Sequence, residues 1–159
     1  MSTATPPPAV TLRPMTEAEF GPWRELSMTG YAASLADANH LDPATATEMA
    51  SNQYDRLLPE GLATAEHLLW IALHGEDPVG SLWIHVKASK SAFIYMLLVD
   101  ADQRGKGYGR GIMLAGEQEC RALGLDRVEL NVFARNRTAI NLYDSLGYEV
   151  TTQQMRKLL

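Results

Sequence analysis

Glycine and basic residues alternate in one short stretch of the sequence. Residues 100–111 read DADQRGKGYGRG, with a glycine at every second position from Gly105 to Gly111. Each glycine costs a helix about 1 kcal/mol relative to alanine. In a loop that leads into a helix, however, missing side chains let a phosphate approach converging backbone N–H groups, and the helix N-terminus adds partial positive charge. The stretch therefore predicts a phosphate-binding loop.

The spacing in this stretch excludes two common nucleotide motifs. The dinucleotide pattern G-x-G-x-x-G would require glycine at position 110, 112 or 114, where the sequence has Arg110, Ile112 and Leu114. The Walker pattern requires a lysine followed by serine or threonine, but Lys106 is followed by Gly107. Neither kind of nucleotide-binding domain is predicted.

Two stretches together resemble one family. Residues 104–109, RGKGYG, fit the pattern Arg/Gln-x-x-Gly-x-Gly/Ala, and residues 130–149, LNVFARNRTAINLYDSLGYE, fit a second motif later in the chain. The matching positions of the second motif are Asn136, Ala139, Leu142, Tyr143, Leu146, Gly147 and Tyr148. Both stretches resemble the GNAT superfamily of acyl-CoA-dependent N-acetyltransferases. The resemblance is strong over residues 93–148 and looser, mainly in element order, over residues 10–92.

The resemblance implies an N-acetyltransferase that uses acetyl-CoA as co-substrate. The pyrophosphate would bind the glycine loop, and the pantetheine arm would pair with the backbone of the preceding strand like an added strand. The implied coenzyme-binding residues are Leu98, Val99, Arg104, Gly105, Lys106, Gly107, Tyr108, Gly109 and Asn136. Tyr143 matches the general acid that protonates the departing thiolate. The amine would attack the thioester directly in a ternary complex, without an acyl-enzyme.

The residue types leave alternatives open. Asn136 could be a plain helix cap, and Tyr143 could be a core aromatic on its short helix. Cys120 lies on a helix face that is typical of a core, so a nucleophilic role is not predicted. A different class of function is a non-catalytic CoA-binding sensor or partner-binding module, which the absence of Tyr143 would have favoured.

The general base is the point at which the sequence departs from the family. Many relatives carry an acidic residue in the fourth strand, but residues 93–99 read FIYMLLV and contain none. Glu60, which comes directly after residues 57–59 (LLP) where the helical pattern breaks, is the leading candidate for a catalytic base. Glu66 and His67 are the next candidates. The alternative is that Glu60 is a solvated loop residue beside Gly61.

Charge is distributed unevenly along the chain. Residues 31–80 contain eight acidic residues and one basic residue, whereas residues 101–137 contain five acidic and seven basic residues. We expect a small cationic amine to enter between residues 31–66 and the third and fourth strands, because opposite charge concentrates an ammonium substrate. The net charge of −5 argues against nucleic acid as a partner.

These residues need a mixed α/β framework to hold them. The pattern predicts the order β-α-α-β-β-β-α-β-α-β, with helices over residues 17–35 and 43–58 and a hairpin of strands 68–73 and 79–86. The fourth strand, third helix and fifth strand would form one parallel βαβ unit, and a last strand near 148–157 would close the sheet. We therefore expect a GNAT-like fold whose mixed, mostly antiparallel sheet has six to seven strands flanked by helices.

The chain is expected to be a disordered leader over residues 1–9 followed by a single N-acetyltransferase domain over 10–159. The leader, MSTATPPPA, lacks the basic start and apolar core of a secretory signal, and no apolar run approaches the ~20 residues needed to cross a bilayer. We expect a cytoplasmic protein without membrane contact. The four histidines have no metal-ligand spacing, so no metal is predicted. The acceptor, the range of acyl groups and the oligomeric state stay open, and a homodimer is compatible with the sequence.

Overall fold

The computed structural model describes residues 5–159, which form one five-stranded sheet with helices on both faces. The elements are β1 (Thr11–Pro14), α1 (Glu17–Asn39), α2 (Pro43–Leu57), β2 (His67–His74), β3 (Asp77–Lys87), β4 (Ser91–Val99), α3 (Tyr108–Ala122), β5 (Arg127–Leu130) and α4 (Arg137–Ser145). Short 3-10 turns lie at Gly61–Ala63 and Ala101–Gln103.

The strands follow the order of the chain, β1-β2-β3-β4-β5. The first three neighbouring pairs are antiparallel, and β4 pairs with β5 in parallel through the crossover helix α3. This arrangement confirms the mixed, mostly antiparallel sheet and the single parallel βαβ unit.

The prediction of six to seven strands was wrong, because residues 149–159 form no strand. Their apolar residues do not recur at the period of two that would give a strand one face to bury. The side chains of this tail are exposed, Val150 and Met155 included, and Arg156 instead contacts the end of α1. The fifth strand, which the run RVELNVFA predicts over residues 127–134, also ends early, at Leu130.

Two cores lie on opposite faces of the sheet. Alternate side chains of β3 explain the division, because successive strand residues point to opposite faces. Leu82 and Ile84 pack with Ile112 of α3, whereas Trp83 packs with Trp23 of α1 and with α2. The layer of α1 and α2 therefore covers one face, and α3 with α4 covers the other.

Local signals set the helix starts. The Glu19 carboxylate accepts the backbone N–H of Thr16 at 2.9 Å, and Asp42 caps α2 by accepting the Thr45 N–H. A hydrogen-bonded ion pair with Arg13 and the Thr16 N–H lower the pKa of Glu19 to about 2. Thr16 three residues before Glu19, and Asp42 before Pro43, are short-range capping patterns of the sequence, and both helices begin at them.

The N-terminal segment runs along the start of α3. Residues 1–4 of the expected leader lie outside the described residues, and residues 5–9 have no regular secondary structure. The His74 Nδ1–H donates to the Ala9 carbonyl at 2.8 Å, and Pro8 lies against Gly107 and Gly111. Within residues 5–159, the helices are too short or too polar for any of them to span a bilayer.

Candidate functional site

The sheet opens between β4 and β5. The two strands pair only over Ser91–Ile94 of β4, and the described residues give Tyr95–Val99 no partner on the β5 side. On its other edge, β4 has one extra residue against β3, because Trp83 is opposite Met96 while Ile84 is opposite Ile94. Tyr95 is therefore bulged, and bulges commonly bend a strand away from its neighbour. The result is a length of β4, Tyr95–Val99, that has no strand on its β5 side.

The glycine loop follows directly after this length of β4. Gly105 and Gly107 have φ of +76° and +86°, in the left-handed region that favours glycine. The α3 helix begins at Tyr108, and its first-turn N–H groups have no intrahelical partners. A β-carbon placed on Gly105 would meet no atom within 4 Å, so the space beside it is open. Free amides, a helix N-terminus and open space together fit a pyrophosphate.

The basic side chains of the loop are tied to nearby groups. Arg104 Nε donates to the Val99 carbonyl at 3.2 Å, and Lys106 Nζ donates to Gln103 Oε1 at 3.2 Å. The Tyr108 ring lies 5.4 Å from the ring of His74. Arg104 and Lys106 are exposed, so their charge is available at the loop without being directed into the protein.

Helix α4 meets the loop at the end of β4. A β-carbon on Gly109 would lie 3.4 Å from Leu142 Cδ2 and 3.7 Å from Val99 Cγ2. Arg110 also hydrogen-bonds to Ser145 of α4. The end of β4, the glycine loop and α4 are thus in contact with one another.

Tyr143 follows Leu142 on α4 and is partly buried. Its ring lies 5.8 Å from the ring of Tyr148, and burial raises the pKa of its hydroxyl. Among the described residues no hydrogen bond engages that hydroxyl. A phenol in this state keeps its proton at neutral pH and is free to donate it.

Asn136 caps α4, as the alternative interpretation allowed. Its side-chain Oδ1 accepts the Ala139 N–H at 3.2 Å. Its amide nitrogen donates no hydrogen bond within residues 5–159. The same side chain can therefore cap the helix and offer an N–H group to a ligand.

Two of the three candidate bases, Glu66 and His67, meet at His85. Glu60 is exposed in the α2–β2 connection, and in the described part of the chain its carboxylate forms no ion pair. Glu66 lies 3.8 Å from His85 Nε2, measured from its Oε2. The His67 ring stacks on His85 at 4.4 Å, and its Nδ1 accepts the Trp83 indole N–H at 2.9 Å. Burial, followed by the neighbouring His85, lowers the pKa of His67.

Sequence reasoning missed two residues that shape the opening. Tyr95, the bulged residue, stacks on Trp83 at 4.8 Å, and no sequence pattern marked it. Gly80 lies opposite Val99, where a β-carbon would come within 2.2 Å of the Leu98 carbonyl oxygen. An isolated glycine inside a strand is a signal for such a close backbone approach. The sequence analysis placed Gly80 in the strand over residues 79–86 without identifying this close approach.

Across residues 5–159, no three His, Cys, Asp or Glu side chains are grouped so that they could hold a metal ion. Cys120 is buried, and burial raises the pKa of its thiol, which suits a core residue rather than a nucleophile.

Comparisons of the sequence with known proteins agree in finding acetyltransferases. The profile of the Acetyltransferase (GNAT) family matches residues 32–148. Bacillus subtilis YycN, named as an uncharacterized N-acetyltransferase, is 35% identical over 154 residues, which cover 94% of this chain and 99% of YycN. Bacillus subtilis YdgE, named in the same way, is 32% identical over 155 residues, which cover 95% and 99%.

Comparisons of the fold with solved structures agree with the sequence comparisons. The crystal structure of YycN has a TM-score of 0.91 and covers 95% of this chain and 99% of its own. A spermidine N-acetyltransferase from Vibrio cholerae, solved in complex with CoA and spermine, has a TM-score of 0.63 at 16% identity and covers 87% and 79%. At that identity the likeness is one of fold.

Proposed function

The chain belongs to the acetyltransferase (GNAT) family and is an acetyltransferase, and from this premise we propose that it transfers the acetyl group of acetyl-CoA to a small cationic amine. The observation that carries the proposal is the opening of β4 from β5 directly before the glycine loop. The length of β4 without a strand on its β5 side can hydrogen-bond to an extended amide chain, and the loop can bind a pyrophosphate. A pantetheine diphosphate has both groups in that order.

The proposed binding mode uses the nine residues named from the sequence, and the exposed Arg104 among them adds positive charge beside the loop. The backbone of Leu98 and Val99 pairs with the pantetheine amides, and the amides of Gly105 to Gly109 bind the pyrophosphate. Asn136 offers its side-chain amide to the coenzyme from the start of α4. The CoA bound in the Vibrio cholerae protein supports this choice of co-substrate.

The proposed reaction is a direct acyl transfer. The neutral amine attacks the thioester carbon, so that a C–N bond forms while the C–S bond breaks. Before the attack a base takes one proton from the incoming ammonium. Tyr143 then gives its proton to the departing sulfur, and the acylated nitrogen returns its surplus proton to the Tyr143 phenolate. Holding both substrates in one complex removes the entropic cost of their encounter. No observation on the molecule favours the alternative of a CoA-binding module without turnover.

Glu60 is the proposed base, acting directly or through water. An amine with a pKa of about 10.4 is only about one part in 10³ neutral at pH 7, so a group must accept its proton. We expect Glu60→Gln to lower kcat/KM and shift its acidic limb, whereas Glu48→Gln, which removes an exposed acid of α2, should leave both unchanged. If Glu60→Gln kept the wild-type kcat/KM and pH profile, Glu60 would not be the base, and Glu66 or His67 would be the next candidate.

The deciding experiment is a thiol-release assay with acetyl-CoA against a panel of cationic, neutral and anionic amines. Propionyl-CoA in parallel would test the range of acyl groups. Release of CoA that depends on an amine, with acetylated amine found by mass spectrometry, is the expected result. Tight binding of CoA without turnover on any amine would establish the sensor alternative instead.

A further inference from the structure

A pocket lies where the end of α1 meets the segment before α4. It has a volume of about 340 Å³. Its lining includes Ser34, Asp37, His40, Phe133, Arg135 and Asn136. Phe133, whose ring lies 6.1 Å from the ring of Tyr31, gives it an apolar wall. Asn136 connects it to the proposed coenzyme site, because the same residue begins the helix that carries Tyr143.

Two guanidinium groups from distant parts of the chain bind at this end of α1. Arg135 Nη1 lies 2.7 Å from Asp37 Oδ1. Arg156 donates to the Ala38 carbonyl at 3.0 Å and to Asn39 Oδ1 at 2.7 Å. They come from positions 98 and 118 residues beyond their partners. The end of α1 therefore binds cations in the structure as it stands.

Elementary electrostatics explains this preference. The last carbonyl groups of a helix carry partial negative charge. The last turn of α1 has no basic residue to neutralise it, and Asp37 adds a full negative charge. Cationic groups are therefore favoured at the end of α1.

The cation now beside the pocket can be exchanged. The Asp37 and Arg135 side chains are 56% and 71% exposed, and exposed ion pairs contribute little to stability. A ligand ammonium can replace the Arg135 guanidinium at the Asp37 carboxylate without a large loss, because both arrangements pair one cation with one carboxylate.

We propose that this pocket binds the non-reacting ammonium group of an aliphatic diamine acceptor at Asp37, in place of Arg135. The proposal rests on the proposed function and adds the residues that select the acceptor. Asp37 and the end of α1 would hold the far ammonium, Phe133 would contact the alkyl chain, and the other amine would extend toward the β4–β5 opening. Arg135 would then compete with the acceptor for Asp37.

Two isosteric acceptors test it, 1,5-diaminopentane and 1-aminohexane, which differ only in the charge at the far end. Asp37→Asn should lower the ratio of kcat/KM for the diamine to kcat/KM for the monoamine about fivefold. This is the size of effect expected from the loss of one exposed charge pair. Arg135→Ala should lower KM for the diamine and leave KM for the monoamine unchanged. Asp126→Asn, an exposed acid before β5, serves as the matched control. Circular dichroism would confirm that each variant is folded.

Calorimetry with 1,5-diaminopentane and the CoA-bound protein separates this proposal from the proposed function. Turnover with an unchanged ratio in Asp37→Asn would overturn the pocket assignment and leave the acetyltransferase assignment intact. Binding that depends on Asp37, without turnover of any amine, would support the pocket and refute the proposed reaction. A higher KM for the diamine in Arg135→Ala would show that the Asp37–Arg135 ion pair is structural. It would overturn the proposal that Arg135 competes with the acceptor for Asp37.

Discussion

Tyr143 is the residue whose proposed role is most open to test. Burial keeps its hydroxyl protonated, and its ring packs beside Tyr148. Phenylalanine retains the ring and removes only the proton donor. We expect Tyr143→Phe to lower kcat about 10²-fold, the lower end for general acid catalysis, since a thiolate is a fair leaving group. The affinity for acetyl-CoA should stay unchanged in calorimetry.

Tyr148→Phe is the control for that experiment. The Tyr148 hydroxyl donates to Glu117 Oε1 of α3 at 3.0 Å, so this proton is already engaged by a carboxylate. This variant should lose some thermal stability and keep its turnover. Equal single-turnover rates for wild type and Tyr143→Phe would reduce Tyr143 to a packing residue.

His67 predicts a dependence of stability on pH. The Trp83 indole donates to its Nδ1, so protonating that nitrogen breaks a hydrogen bond of a buried tryptophan. The pKa of His67 is lowered in the fold, by burial and by the stacked His85 against the weaker opposing effect of Glu66. The stabilising contribution is therefore complete above the unfolded pKa of about 6.5 and is lost as the pH falls through the folded value.

Asparagine at position 67 retains an acceptor for the Trp83 indole and does not titrate. We expect Tm to fall less between pH 7 and pH 5 in His67→Asn than in the wild type, measured by calorimetric scans. His74→Asn, which removes an exposed histidine of the same strand, should retain the wild-type slope. If Tm fell with pH equally in His67→Asn and in the wild type, His67 would not be a source of the pH dependence.

At the scale of elements, the glycine loop offers a matched pair of substitutions. Gly105 and Gly124 stand near opposite ends of α3 with φ of +76° and +75°, and a β-carbon on either would meet nothing within 4 Å. Valine therefore imposes the same backbone strain at both. We expect Gly105→Val to weaken acetyl-CoA binding about tenfold or more, because its side chain would fill the space that a phosphate needs. Gly124→Val should lose a similar amount of stability and keep the wild-type affinity for acetyl-CoA. If the two variants bound acetyl-CoA equally well, the loop assignment would be refuted.

The sequence predicted the elements that local chemistry determines. Two helix caps, the hairpin and the parallel unit all followed from short-range patterns, such as Asp42 before a proline. The opening of the sheet did not, because it depends on how β4 aligns with two neighbours at once. Tyr95 resembles any other strand aromatic until the register shows it to be the extra residue. The missing sixth strand has the same cause, since Thr and Val favour strands but cannot supply a partner edge.

At the scale of the whole molecule, charge separates the two proposed substrates. The acidic stretch 31–80 includes the end of α1, all of α2 and all of β2, whereas the basic stretch 101–137 includes the glycine loop and α3. The sequence identified this division, but the pocket at Asp37 required the fold, because Arg135 lies 98 residues away along the chain. Under the proposed function, the amine would bind beside the acidic stretch and the pyrophosphate beside the basic one.

This division predicts how salt affects the reaction. Raising NaCl from about 0.05 M to about 0.5 M shortens the screening length several-fold and weakens attraction between exposed charges. At saturating acetyl-CoA, we expect kcat/KM for 1,5-diaminopentane to fall several-fold, while kcat/KM for 4-methylaniline, which is neutral at pH 7, changes little. Sodium acetate in place of NaCl controls for specific anion effects. If the neutral amine were the better acceptor at low salt, or if both amines responded equally, the acidic face would have no part in acceptor capture.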